Sequence, residues 1–435
     1  MSATGVSLDL ARELRAICGD EHVTETAASD QQSGAPRRPG VGIPGIPTMT
    51  VAPARPDEVV AILRLANERQ FTVAPVGGGT DLSVSQHRPD VLLQTTRLTE
   101  VEHYDHGDLT VGIGAGTKVA QLGAMVGADQ LIFACDPPFP ERATIGGVLA
   151  AAEQGPMRHA YGSVRDFCIG VRFVTGDGRK AKGGGRVVKN VAGYDMMKLL
   201  IGSYGTLGVI TSASFKLFPA PRKTLTFLAE FGAWQEALKF RDLVMHSPLS
   251  PMCLELVSPR ARKLMRPAMT DDAWVICVRA TGSDAVLARY RKELGAAITR
   301  EVAGPDESAI WKAIENFPRA EANEDSTASP CVLLHVPPAH VGEVVAKLDR
   351  SQAEGGLEAA VVGRVAIGAL IARIPAPQAL DVARGGFWDR LAPPPGVSAT
   401  TRGTWWGITA EQKASMNAVK QALDPNNVLR GRELF

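Results

Sequence analysis

The sequence has no Cys-x-x-Cys pair, and its six cysteines, at 18, 135, 168, 253, 277 and 331, are scattered through 435 residues. That scatter excludes a disulfide framework and a thiolate metal knuckle, and reads as reduced, buried thiols. Charge of either sign is not in excess: 47 Lys plus Arg stand against 46 Asp plus Glu, so no bulk field draws the chain to nucleic acid or to an anionic bilayer. No uninterrupted apolar run reaches the roughly 18 residues that cross a membrane, and Asp9 and Glu13 interrupt the stretch where a secretory leader needs its apolar core. The expectation is a cytoplasmic protein that can still dock peripherally at the inner membrane through a complex. His-x-His, His-Glu-x-x-His, a P-loop and Gly-x-Ser-x-Gly are all missing, which argues against a metal centre, an NTPase site and a nucleophile-elbow hydrolase.

What remains is a chain with 45% apolar and 21% charged residues, enough to bury a large core in two or three domains. Its 44 glycines matter for where they cluster. The string Gly40-x-Gly42-x-x-Gly45 matches the dinucleotide fingerprint formally, but Pro39, Pro44 and Pro47 place it in a polar arm with no strand before it, so it is rejected. From residue 51 the pattern turns to strand, helix, strand, with Asp57 expected to cap the helix and Val59, Val60, Ile62, Leu63 and Ala66 on its inner face. The second strand runs into Gly77-Gly78-Gly79-Thr80. Three successive glycines cost chain entropy and leave bare amides, which can cradle a pyrophosphate without a lysine; Thr80 adds a hydroxyl.

Gly146-Gly147 opens the run VLAAA, and Thr144 sits where its hydroxyl could cap that helix and aim its N-terminus at negative charge. Gly202, Gly205 and Gly208 recur through LLIGSYGTLGVIT as a backbone surface over which a flat ring can lie, ending in a strand from Val209. Each cluster alone could be a tight turn; together they argue for one long ligand carrying phosphate and an aromatic part. After Pro219 and Pro221 glycine thins, and strands such as AWVICVRAT alternate with helices such as SDAVLARYRKELGAAI, predicting a second α+β domain. No internal repeat is visible.

In order and spacing, PVGGGTDLS, ERATIGGVLAA, YGSVRDFCIGVRFVTGDGR, KNVAGYDMMKLLIGSYGTLGVIT and AVKQALDPNNVL resemble the FAD-linked oxidases of the vanillyl-alcohol oxidase type. DPPFPERATIGG and GGRVVKNVAGYD are most similar to the FAD-binding subunits of bacterial glycolate oxidases. The resemblance implies an α+β fold: a two-subdomain PCMH-type FAD-binding domain over 50–221 with an α+β, ferredoxin-like cap over 222–403, an N-terminal helix and arm at 1–49, and a C-terminal helix and tail at 404–435 that return to the flavin. By resemblance Gly77, Gly78, Gly79, Thr80 and Asp81 wrap the pyrophosphate, Gly146 and Gly147 lie along the flavin, and Val209 and Ile210 meet the adenine half. Val76, Leu82, Pro137, Thr144, Tyr161, Gly162, Gly205 and Gly208 complete the expected cofactor-binding set. The implied cofactor is FAD, non-covalent because Thr80 follows the glycines where tethering relatives carry His or Cys beside these loops.

The implied partners are a catalytic flavoprotein subunit and an iron–sulfur subunit, and the implied reaction is oxidation of glycolate, a small 2-hydroxy acid, to glyoxylate. Two alternatives stand beside it: a self-sufficient FAD-dependent hydroxy acid or alcohol oxidoreductase, and a structural subunit that has lost redox activity. The sequence departs from the family in three places: no histidine in GRVAIGALIARIP (residues 363–375), Ala152 where asparagine is frequent, and Leu429-Arg430-Gly431-Arg432 in the terminal turn. Lys189 and Arg158 are candidates only for binding a carboxylate, and no residue is assigned as catalytic base.

Overall fold

The computed structural model describes residues 3–25, 49–80, 89–186, 194–269, 272–319, 331–350, 356–375, 386–400, 405–406 and 409–430. Chain contacts divide it into two units, Met1–Glu153 with Ser163–Pro219 and Thr409–Phe435, and Gln154–Gly162 with Ala220–Ile408.

The first unit holds two sheets. In one, β1 (Val23–Glu25), β2 (Met49–Val51), β3 (Val73–Val76) and β4 (Val91–Gln94) lie in the order β1-β2-β4-β3, with β2 and β3 both parallel to β4. Parallel neighbours need a crossover, and helix Pro56–Arg69 supplies it, burying Val59, Ile62, Leu63 and Ala66. Asp57 does not cap that helix. Pro56 fills the first turn, Arg55 is the N-cap without a side-chain bond, and Asp57 pairs outward with Lys180 at 2.6 Å. Helix Ala3–Cys18 lays Ala11, Leu14 and Cys18 on the same core.

The other sheet is antiparallel: β5 (Val101–Asp105), β6 (Thr110–Gly114), β8 (Cys168–Val174), β9 (Lys180–Gly184) and β10 (Val209–Lys216) in the order β5-β6-β10-β8-β9. The β8–β9 hairpin turns where Asp177-Gly178 predicts it, with Gly178 at φ +78°. Val111, Ile113, Val171, Phe173 and Phe215 face helices Val119–Gly127 and Ile145–Ala151, each fully buried side chain contributing about 1.5–3 kcal/mol. A separate small antiparallel pair joins β7 (Leu131–Ile132) with β11 (Phe218–Pro219).

The second unit is one nine-stranded antiparallel sheet: β12 (Thr224–Phe231), β13 (Cys253–Val257), β14 (Trp274–Thr281), β15 (Arg300–Val302), β16 (Cys331–His335), β17 (Ala360–Arg364), β18 (Ala369–Arg373), β19 (Ser398–Thr400) and β20 (Trp405–Trp406). Its order is β15-β12-β14-β13-β17-β18-β16-β19-β20. The first four strands follow the fourth-first-third-second arrangement of a ferredoxin-like unit, with helices Trp234–His246 and Asp284–Leu294 as the two crossovers. Strands β16 to β19 repeat it in mirror order, with Val341–Asp349 and Gly386–Leu391 as crossovers. The two halves join where β13 pairs β17, Leu256 opposite Gly363 and Val257 opposite Val362. The chain thus contains a duplication of topology that leaves no repeat in its sequence.

Candidate functional site

In the first unit the glycine clusters meet around helix Ile145–Ala151. Strand β3 delivers residues 77–80 directly onto the turn before that helix. A Cβ on Gly77 would sit 2.0 Å from Thr144 Oγ1, and one on Gly78 only 1.7 Å from the Arg142 carbonyl oxygen. Glycine is therefore required at both positions by chain-on-chain packing, whatever else the turn does. Gly79 adds a positive φ of 69°. Among the described residues no main-chain carbonyl accepts from the amides of residues 77–80.

The helix start is the opposite case. Thr144 is the N-cap, its hydroxyl accepting from Gly147 N at 3.3 Å as expected. Ile145 N donates to Thr117 O at 2.9 Å and Gly146 N to Ala115 O at 2.8 Å. The first-turn amides are thereby satisfied within the protein, so this end is not the anion site that its sequence suggests. Gly146 and Gly147 serve close packing, against Ala115 and Thr144 respectively.

The third cluster reaches the same helix from its other end. Gly202 N donates to Leu149 O at 3.0 Å and Tyr204 N to Ala150 O at 2.8 Å. Gly205, at φ +75°, rests on the Pro75 ring of β3, and Gly208 on Phe173. Val209 and Ile210 are 0% and 5% exposed with their side chains in the unit's two cores, so any contact they make with a ligand falls to main chain. Ala152 closes the helix in the left-handed region, φ 50° and ψ 36°, where asparagine is better tolerated.

Pro137 is buried in the loop before the capped helix, and the Val76 carbonyl accepts from Thr95 Oγ1 at 3.3 Å. Tyr161 and Gly162 belong to the second unit, where Tyr161 packs on its core. Asp81, Leu82, Lys189, Gly431 and Arg432 lie outside the described residues.

The cradle fits a polyanionic dinucleotide. Its free amides are on residues 77–80, and two buried hydroxyls on its supporting segments, Thr117 Oγ1 and Ser203 Oγ, have no hydrogen-bond partner among the described residues. A groove of about 520 Å³ on the five-stranded sheet is less suited, because Arg172 in its wall already pairs with Glu102 at 3.2 Å and Lys180 with Asp57.

Sequence reasoning missed a charged row in the second unit. Glu255, 1% exposed, lies 3.5 Å from Arg364, 4% exposed, beside the seam of the two halves. Arg364 stands opposite Ala369, and Ala369 opposite His335, on adjacent strands. Arg364 also donates to Gln154 O at 3.0 Å. Burial, and then the Arg158 and Arg364 guanidiniums, hold His335 below the usual histidine range. A lone Glu in CLELV and a lone Arg ending AVVGR, each inside an apolar strand, were the available signals. None of the six cysteines is in a disulfide and five are buried, with burial pushing Cys168 and Cys277 up to about 12, so these two are packing groups. No cluster of three or more metal-ligating side chains occurs among the described residues.

Residues 47–182 match the family model described as FAD binding domain, and residues 220–389 that described as FAD linked oxidases, C-terminal domain; together they take in more than half of the chain. The chain belongs to the FAD-linked oxidases. This FAD-linked oxidase is 35% identical over 199 residues to glycolate oxidase subunit GlcE of Escherichia coli, covering 45% of this chain and 53% of that protein. It is 35% identical over 231 residues to a D-lactate dehydrogenase of Archaeoglobus fulgidus, covering 52% and 51%. The chain thus spans about half the length of the curated relatives it matches. Its fold is that of p-cresol methylhydroxylase, TM-score 0.73 at 13% identity over 98% of this chain and 96% of the other, which establishes the PCMH-type α+β architecture. The 4-ethylphenol oxidase of Gulosibacter chungangensis gives 0.72 at 15% identity, over 99% and 97%.

Proposed function

We propose that this FAD-linked oxidase is the FAD-binding subunit of a glycolate oxidase-like complex, oxidising glycolate to glyoxylate beside a catalytic flavoprotein subunit and an iron–sulfur subunit. The observation that carries it is the convergence of the three glycine segments with the amides of residues 77–80 left open to a diphosphate. FAD, when bound, supplies the acceptor for two electrons from a hydroxy acid. The chain's own part is to grip the diphosphate with neutral amides. Neither residues 77–80 nor residues 142–147 include a histidine or cysteine, which supports non-covalent attachment. No described helix is long and apolar enough to cross a membrane; we place the chain in the cytoplasm, with any membrane association made through the partners.

Arg364, set beside Glu255 and His335, favours a second reading, a self-sufficient 2-hydroxy acid oxidoreductase whose carboxylate substrate meets that guanidinium. One experiment separates the readings. The purified chain is expected to be yellow, to release its colour into the supernatant on acid precipitation, and to bleach with glycolate only when both partners are added. Bleaching of the isolated chain establishes the second reading, a yellow pellet overturns non-covalent attachment, and a colourless chain that takes up no FAD overturns both.

A further inference from the structure

The C-terminal helix Ala410–Leu423 carries a lysine in its last turn that is drawn into the unit instead of out to water. Lys420 Nζ donates to Thr206 O at 2.8 Å and to Leu429 O at 3.0 Å, and pairs with Asp424. Asp424 is 1% exposed. Its two oxygens accept from Val428 N and Leu429 N, both at 2.9 Å. The tail so fixed runs beside β3: Val73 N donates to Val428 O at 2.9 Å and Arg430 N to Val73 O at 2.7 Å. One ammonium therefore bonds the Thr206 carbonyl, in the turn between Gly205 and Gly208, and the tail that flanks the strand feeding residues 77–80. The site is fitted closely. A Cβ on Gly176 would meet Asp424 Oδ1 at 2.1 Å, and Gly176 N donates to Leu423 O at 2.9 Å. Burial holds Lys420 below the usual lysine range, with the Asp424 carboxylate opposing that shift.

We infer that Lys420 is a positioning residue for the adenylate half of the cofactor: by fixing the Thr206 carbonyl it sets the turn at residues 205–208, and it makes the chain select FAD over FMN. The inference rests on the proposed FAD-binding reading and on the resemblance that puts Val209 and Ile210, directly after this turn, at the adenine half. An ammonium that merely stapled the fold would affect every flavin alike. One that sets the adenylate turn affects only the flavin that has an adenylate.

The test is a titration of the full chain, stripped of flavin, with FAD and separately with FMN, read by flavin fluorescence, for the wild type, Lys420→Met and Lys420→Gln, with thermal melts alongside. Loss of charge-assisted hydrogen bonds of this kind corresponds to about a tenfold to hundredfold change in affinity. We expect Lys420→Met to weaken FAD by that factor and leave FMN within about twofold, with Lys420→Gln, which keeps a donor, in between. A wild type with no preference for FAD overturns the adenylate reading and this inference with it. A wild type that prefers FAD, with variants that keep the same preference, overturns the inference alone. Variants that unfold, or that lose both flavins in parallel, make Lys420 a staple of the fold and overturn it also.

Discussion

Two glycine turns lie against each other in the first unit and use their amides in opposite ways. Residues 77–80 have glycines because no side chain fits against Thr144 and Arg142, and their N–H groups remain open. In the turn opening helix Ile145–Ala151 only Gly146 is packed that closely, against Ala115, and the amides are taken up by Thr144, Thr117 and Ala115. Glycine content reports where chains approach closely; only the hydrogen-bond inventory reports which turn has donors left for a ligand.

Substitutions separate the two turns. The largest effect is expected from Gly78→Ala, whose new Cβ faces immovable backbone at the Arg142 carbonyl. It should cost about 3 kcal/mol in a urea melt and yield protein without flavin. Its counterpart Gly147→Ala meets only the Thr144 hydroxyl, at 3.1 Å, and should stay within about 1 kcal/mol of wild type with flavin retained, because helix propensity offsets the crowding. Equal damage from both would erase the distinction. Thr144→Val removes the cap and is expected to cost about 1 kcal/mol, with FAD affinity falling less than for Gly78→Ala. Smallest, and of opposite sign, is Ala152→Gly: relieving a left-handed alanine should stabilise by about 1 kcal/mol, read as a rise in melting temperature, with FAD binding unchanged.

The local devices were legible because their causes are local. The Thr144 cap, the Asp177-Gly178 turn and the strand entering residues 77–80 each depend on a few neighbouring residues. The amides of Ile145 and Gly146 were misread because their acceptors, Thr117 and Ala115, lie some way back in the chain. Lys420 is one polar position on the C-terminal helix, and nothing near it in sequence announces Thr206. Arg364 and Glu255 stand on strands brought together only by the β13–β17 pairing, and no periodicity within either strand specifies a partner.

That seam has a consequence for how the second unit can be dissected. Strands β13 and β17 are buried along their whole length, and each would be the outer edge of its own half if the halves were separated. A fragment ending near residue 302, or one beginning near 331, would present a naked, mostly apolar ribbon with unpaired N–H and C=O groups, the template on which chains add to one another. Fusing the halves back to back hides both ribbons at once. Neither half is a safe module for truncation.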